Sequence, residues 1–252
     1  KKRVTPQIAV HVDMTLNQWF GNTIIESYYY IQTNRIKIPF LHNNTYNQEL
    51  FKLFNISSME EYEKLSKSFG RFGLSVQTVV DAVKSACDFF NIPMPRLIQD
   101  CSDDKNGQTM FVNYNSGSYD DDVLCINLNQ LVDLRIETVE DFYLVITHEC
   151  AHRVLQNTRF PGVNNGIWEQ ELAADYLMGC RAGLHNMNNS KILVSMFLTP
   201  GSYSHPDGMI RALFVRDAKF RVIEMRDNSI PLTIPNLLNE FMACRQKYLQ
   251  EI

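Results

Sequence analysis

Apolar residues recur at helical spacing along much of the chain, and short apolar runs lie between the helical stretches. Over residues 75–90 they fall three or four positions apart, which predicts a helix that ends at Asn91-Ile92-Pro93-Met94-Pro95. Residues 96–99, 108–114 and 123–128 are typical of strands. A Gly-, Ser- and Asp-rich stretch separates the last two runs, so we expect them to form a hairpin with a loose acidic loop.

The second half of the chain is predicted to be mostly helical. Thr138-Val139-Glu140-Asp141 is typical of a capped helix start, and helical spacing then continues until Pro161-Gly162. Further helices are expected over residues 168–183, after His205-Pro206 and over residues 236–249. Together the elements predict an α+β fold that is mostly helical with a small antiparallel or mixed sheet.

Residues 1–75 lack this clear organisation. They include an aromatic cluster at residues 28–30 and an acidic helical patch over residues 59–67, and Gly70-Arg71-Phe72-Gly73 is a natural break. We therefore predict an N-terminal elaboration of unknown role over residues 1–75 and a main domain over residues 76–252.

Composition excludes several classes of protein. A net charge of −4 and the absence of a basic stripe argue against nucleic-acid binding. No apolar run approaches the length of about 18 residues that a membrane span needs, so no integral membrane segment is predicted. The six cysteines are widely spaced without a C-x-x-C pair, which favours a reducing compartment and a cytoplasmic location. Cys150 and Cys180 are expected to be small buried apolar residues.

The nonapeptide THECAHRVL, residues 147–155, carries the chemistry. His148 and His152 are four positions apart, so a helix places both imidazoles on one face, where they can bind one zinc ion. Glu149 lies beside them and is suited to take a proton from a zinc-activated water. The alternative is an ordinary helix in which H-E-x-x-H has arisen by chance.

A catalytic zinc site needs a third protein ligand, and Trp168-Glu169-Gln170-Glu171-Leu172-Ala173-Ala174-Asp175 offers one. Glu171 can complete a His₂Glu set, and Asp175, one turn later, can orient a ligand histidine. The Ala173-Ala174 pair allows two helices to approach closely. The alternative is a solvated acidic face, which is what we expect for Glu169.

A third candidate group lies further along the chain. His205, in a His-Pro pair followed by Arg211, can stabilise an oxyanion, but a His-Pro pair before a helix is also an ordinary start signal. Tyr203 is a weaker oxyanion donor candidate.

Taken together, these motifs resemble the gluzincin metallopeptidases of the HtpX and CAAX-prenyl-protease type, over about residues 76–222. The resemblance implies a zincin-like domain that binds one zinc ion through His148, His152 and Glu171, with Glu149 as general base and acid. It also implies Asp175 as a partner of a ligand histidine, and places His205 and Arg211 near the substrate or Asp175. The membrane helices of that group are absent from this sequence.

We therefore expect residues 76–252 to form a zinc metallopeptidase domain that hydrolyses peptide or protein substrates, with its sheet over the H-E-x-x-H helix. Glu149 and His205 are the expected catalytic residues. Two alternatives remain open: a non-catalytic zinc-binding module for regulation or interaction, and a zinc hydrolase of a non-peptide amide or ester. A fourth protein ligand on the metal would favour the first alternative.

Overall fold

The computed structural model describes residues 44–99, 111–113, 122–127, 131, 136–156, 166–203 and 205–249. The described elements are eight helices and three short strands, so the predicted mostly helical fold with a small sheet is confirmed. The helices are α1 (Asn44–Leu53), α2 (Met59–Gly70), α3 (Val76–Phe90), α4 (Val139–Leu155), α5 (Gly166–Leu184), α6 (Ser190–Phe197), α7 (Gly208–Asp227) and α8 (Ile234–Leu249). The strands are β1 (Arg96–Gln99), β2 (Phe111–Asn113) and β3 (Val123–Ile126).

The chain divides into two units after Leu50, and the second is a compact unit over residues 51–252. This second unit includes α2, which packs against α3. The aromatic cluster at residues 28–30 lies outside the described residues, and the boundary near residue 75 stays a prediction.

Side-chain caps begin α3 and α4 where the sequence predicts. In α4 the Thr138 hydroxyl accepts from the Asp141 backbone N–H, while the Asp141 carboxylate accepts from the Thr138 backbone N–H. Ser75 caps α3, which ends at Asn91 in the left-handed conformation, two residues before Pro93. These caps set where each helix begins and therefore which residues share a face.

The three strands form one sheet in the order β1-β3-β2. β1 pairs parallel with β3, and β2 pairs antiparallel with β3, with Phe111 opposite Cys125. In the central strand β3, Leu124, Cys125 and Ile126 are all buried, so both faces of this strand are covered. β2 lies against α4, and Arg153 of α4 contacts Asp122 at the start of β3 with an N–O distance of 2.5 Å.

α5 is the most enclosed helix, and every residue from 172 to 183 is buried. It packs against α4, α7 and α8. The closest approach is to α7, where a Cβ on Gly179 would lie 2.3 Å from the Val215 carbonyl oxygen. Only glycine permits that separation, so these helices are in backbone contact.

Glu169 is not on a solvated face, and that prediction was wrong. Its side chain is buried and paired with Arg245 of α8, because α8 covers the first turn of α5. A buried carboxylate needs such a cationic partner.

The cysteines are only partly as expected. Cys87, Cys150, Cys180 and Cys244 are free and buried. Cys125 is disulfide-bonded, which the expected reducing compartment does not account for. No helix in the described ranges is long and apolar enough to cross a membrane.

Candidate metal centre

α4 presents His148 and His152 one turn apart on the face that meets α5. Their Nε2 atoms lie 3.1 Å apart, and their rings are nearly perpendicular, at 87°. Two neutral imidazoles whose lone pairs face each other repel unless a proton or a metal ion lies between them. The pair therefore has the arrangement of two donors aimed at one cation.

Glu171 of α5 completes the group. Its Oε2 atom lies 3.3 Å from His148 Nε2, and its Oε1 atom lies 3.5 Å from His152 Nε2. The burial of Ala173 and Ala174 on the same helix agrees with the close helix approach that the sequence predicts. Glu171 Oε2 is buried and makes no well-aligned hydrogen bond, although His148 Nε2 and His205 Nε2 lie 3.3 and 3.4 Å away.

These three side chains could hold a metal ion. Donor atoms bound at about 2.0–2.1 Å to a tetrahedral ion lie about 3.3 Å from one another. The 3.1 Å between the two Nε2 atoms and the 3.3 Å from His148 Nε2 to Glu171 Oε2 are close to that value, and the other carboxylate oxygen, Oε1, lies 3.5 Å from His152 Nε2. Among the described residues, no fourth His, Cys, Asp or Glu side chain joins this group, which leaves room for a water or a substrate atom.

Asp175 lies one turn after Glu171 and is fully buried. Its Oδ1 atom is 2.9 Å from His148 Nδ1, the nitrogen that faces away from Glu171. Arg211 of α7 donates two hydrogen bonds to the same carboxylate, at 2.7 and 3.0 Å. Asp175 is therefore placed to hold His148 with Nε2 towards the metal-binding position, and Arg211 holds Asp175.

The pKa values of the centre follow from burial and neighbouring charges. Burial alone would lower the pKa of His148, but the carboxylates of Asp175 and Glu171 outweigh it and raise that pKa to about 10. Burial and the charge of His148 lower the pKa of His152 to about 4. Burial opposes ionisation of Glu171, yet His148, His152 and His205 hold its pKa at about 2. In the metal-free centre His148 is therefore the positively charged imidazolium at neutral pH, and His152 is neutral.

Glu149 follows His148 directly and is partly buried. Burial raises the pKa of its carboxyl to about 8, and the nearby carboxylate of Glu171 adds to that rise. A carboxyl with this pKa can both accept and release a proton near neutral pH.

His205 reaches the centre from the loop before α7. Its Nε2 atom lies 3.4 Å from Glu171 Oε2, and about a third of its side chain remains exposed, at 31%. Arg211 also approaches Glu171 Oε2, with an N–O distance of 3.8 Å. Tyr203 is 85% exposed, and its backbone carbonyl accepts a hydrogen bond from the Trp168 indole N–H.

Sequence reasoning missed two residues of this region. Arg181 is buried beneath α4 and donates to Thr147 and to Ser85 of α3, so it braces the helix that carries both histidines. A lone arginine within the apolar run of α5 was the available signal. Trp168, expected only as a helix start, ties α5 to the loop of His205.

Seven candidate residues of the sequence analysis lie within one network that joins α4, α5, α7 and the loop before α7, whereas Tyr203, the weaker candidate, is not among them. The seven are His148, Glu149, His152, Glu171, Asp175, His205 and Arg211. No family model matches this chain, and neither a curated protein nor a solved structure matches it. The residues of the centre are therefore the basis for a functional proposal.

Proposed function

We propose that the chain is a zinc-dependent peptidase, with a zincin-like catalytic domain similar to the gluzincin metallopeptidases of the HtpX and CAAX-prenyl-protease type. The observation that carries the proposal is the group formed by His148, His152 and Glu171, with Glu149 beside it. The helical fold, with β2 against α4, supports the same assignment.

The donor set favours zinc over a hard cation. Two imidazoles and one carboxylate are typical of catalytic zinc sites, whereas calcium and magnesium prefer a set of oxygen donors. Three protein donors leave one coordination position for chemistry. When bound, zinc would supply a Lewis acid that lowers the pKa of water and polarises a carbonyl group.

Glu149 acts as the general base and then as the general acid. Its carboxylate accepts a proton from the attacking water as the new C–O bond forms at the scissile carbonyl. It then gives that proton to the amide nitrogen as the C–N bond breaks, so that a carboxylic acid and an amine leave. Burial raises the pKa of Glu149 in the metal-free chain, and a bound zinc ion would favour the carboxylate that the first step needs.

His205 and Arg211 have different tasks. His205 lies beside Glu171 and is partly exposed, so its imidazole can donate a hydrogen bond to the oxyanion that develops on the carbonyl. Arg211 acts through Asp175, which holds the tautomer of His148 that presents Nε2 to the metal.

The sheet supports one route for an extended substrate. A peptide can add as a strand to a sheet edge, and β3 is excluded because it already pairs with β1 and β2. β2 is the outer strand that lies against α4, so it is the better candidate for this role.

The first test is the zinc content of the purified chain beside Glu171→Ala. We expect about one zinc ion per chain in the wild type and much less in the variant, because one of three protein ligands is lost. Equal zinc content in both proteins would show that another residue supplies the third ligand. No metal in either protein after zinc is added back would make residues 147–155 an ordinary helix.

The second test is Glu149→Gln, which we expect to retain zinc while hydrolysis falls by at least about a hundredfold. A panel of peptide, amide and ester substrates gives the readout. Hydrolysis confined to non-peptide substrates would point to the alternative zinc hydrolase. Bound zinc without hydrolysis of any substrate would favour the non-catalytic module, and wild-type turnover by the variant would refute the role of Glu149.

A further inference from the structure

Two exposed aromatic residues, Trp168 and Tyr203, are near neighbours in the chain of Glu171 and His205, and we call this pair the aromatic ledge. Trp168 is 37% exposed and Tyr203 is 85% exposed. The Trp168 indole N–H donates a hydrogen bond to the Tyr203 carbonyl oxygen at 3.0 Å. With its polar atom engaged in this way, the indole presents apolar ring surface.

The position of the ledge follows from its chain neighbours. Trp168 is three residues before Glu171 on α5, so their Cβ atoms are about 5–6 Å apart. Tyr203 is two residues before His205, so their Cα atoms are at most about 7 Å apart. A strand advances about 3.3 Å per residue, so these separations correspond to about two residues of an extended peptide.

The loop that carries Tyr203 is held at its base and at its turn. The Gly208 N–H donates to the Thr199 carbonyl at 3.0 Å, and the Ser202 N–H donates to the His205 carbonyl at 2.8 Å. Trp168 adds a contact from α5. These bonds fix the loop before a substrate arrives, which lowers the entropic cost of binding.

We propose that the aromatic ledge is the subsite that accepts a large apolar side chain of a peptide substrate, one or two residues from the scissile bond. The proposal rests on the proposed peptidase function and names the substrate class of that site. A leucine or phenylalanine side chain placed against both rings removes apolar surface from water on substrate and protein alike. Neither ledge side chain carries charge to bind an acidic or basic substrate group.

The experiment uses the intrinsic fluorescence of Trp168. The chain has two tryptophans, so Trp19→Phe leaves Trp168 as the only indole. Zinc-loaded full-length chain carrying Trp19→Phe and Glu149→Gln is titrated with paired hexapeptides that differ only by Phe or Ala beside the central bond. We expect the Phe peptide to bind about tenfold more tightly and to shift the emission of Trp168 to shorter wavelength.

A second variant and a matched control complete the design. Tyr203→Ala should reduce the preference for the Phe peptide to about twofold or less. It should retain zinc, because an exposed side chain contributes little to folding. Phe220→Ala removes another exposed aromatic side chain, twelve residues after Gly208, or about 18 Å along α7. This control should keep the full preference.

Hydrolysis of the same peptides by the chain with Glu149 intact separates the two proposals. Cleavage of both peptides at equal rates, with equal binding, would overturn the ledge and leave the peptidase standing. A Tyr203-dependent preference in binding without any cleavage would keep the ledge and overturn the peptidase. If neither peptide binds, or if Tyr203→Ala keeps the tenfold preference, the ledge is refuted.

Discussion

One carboxylate, that of Asp175, connects the two cationic side chains that organise the metal centre. It is fully buried, contacts His148 at 2.9 Å and accepts both bonds of the Arg211 fork. A buried carboxylate is stable only when such partners offset its lost hydration. The charge of Asp175 and the orientation of His148 therefore depend on each other.

Asp175→Asn keeps the shape of the side chain and removes its charge. We expect zinc affinity to fall about 10–100-fold, because the contact that orients the ligand histidine His148 becomes weaker. Competition with a chromophoric chelator measures this affinity. Asp217→Asn is the matched control, since Asp217 pairs with Lys247 and Tyr248 on the α7–α8 surface. Affinity within twofold of the wild type in Asp175→Asn would contradict the assignment.

The charged state of His148 predicts how zinc affinity depends on pH. With the pKa of His148 near 10 and that of His152 near 4, zinc must displace one proton, from His148, across the neutral range. Because the metal competes with that proton, zinc affinity increases as the pH rises. The increase is about tenfold per pH unit up to the pKa of His148.

Calorimetric titrations in buffers of different ionisation enthalpy count the released protons. We expect about one proton per zinc at every pH between about 5.5 and 7. Two ordinary histidines would instead release about 1.8 protons at the lower pH and about 0.5 at the upper. Such a decline would show that Asp175 and Glu171 do not shift the histidine pKa values as described.

At the scale of elements, the contact between α5 and α7 positions the centre. α5 carries Glu171 and Asp175, and α7 carries Arg211. Gly179 and Gly183 let these helices meet at their backbones, since a Cβ at either position would approach a carbonyl of α7 within 2.5 Å. This close contact sets the distance over which Arg211 reaches Asp175.

Gly179→Ala tests that contact. The added methyl would overlap the Val215 carbonyl, so we expect a loss of about 1–3 kcal/mol in the free energy of unfolding. Gly70→Ala is the same change on α2 where no atom lies within 4 Å, and it should be neutral or stabilise by about 0.5–1 kcal/mol. Urea denaturation compares them, and equal midpoints would mean that α5 and α7 are not in backbone contact.

At the scale of the molecule, a metal ion would link α4 to α5. Its three ligands come together only in the folded state. A ligand that binds only the native state stabilises it by about 2.7 kcal/mol at a hundred times its dissociation constant. The unit over residues 51–252 should therefore unfold as a more stable structure with zinc than after chelation.

We expect the thermal midpoint to rise by about 5–10 °C when zinc at about a hundred times its dissociation constant is added to the chelated chain. Differential scanning calorimetry measures the shift. Glu171→Ala at the same zinc concentration is the control and should show little change. An equal rise in both proteins would indicate zinc binding elsewhere, and no rise in the wild type would argue against a zinc centre.

Local patterns predicted much of the helical part of this chain. The capping box at Thr138 and Asp141 and the spacing of apolar residues predicted α4, α5 and α7, because both signals act within a few residues. The four-residue separation of His148 and His152 likewise determined that they share a helix face. α6 was not foreseen, since an eight-residue helix spans too few turns for a clear period.

The amino-acid sequence by itself determined which residues could act together on one helix, because the period of a helix is a local property of the backbone. Only the tertiary structure decided how α4 and α5 meet, that β3 is central, that Glu169 is buried and that His205 approaches Glu171. Those features depend on contacts between residues far apart in the chain, and no local pattern encodes the sum of packing energies that selects them.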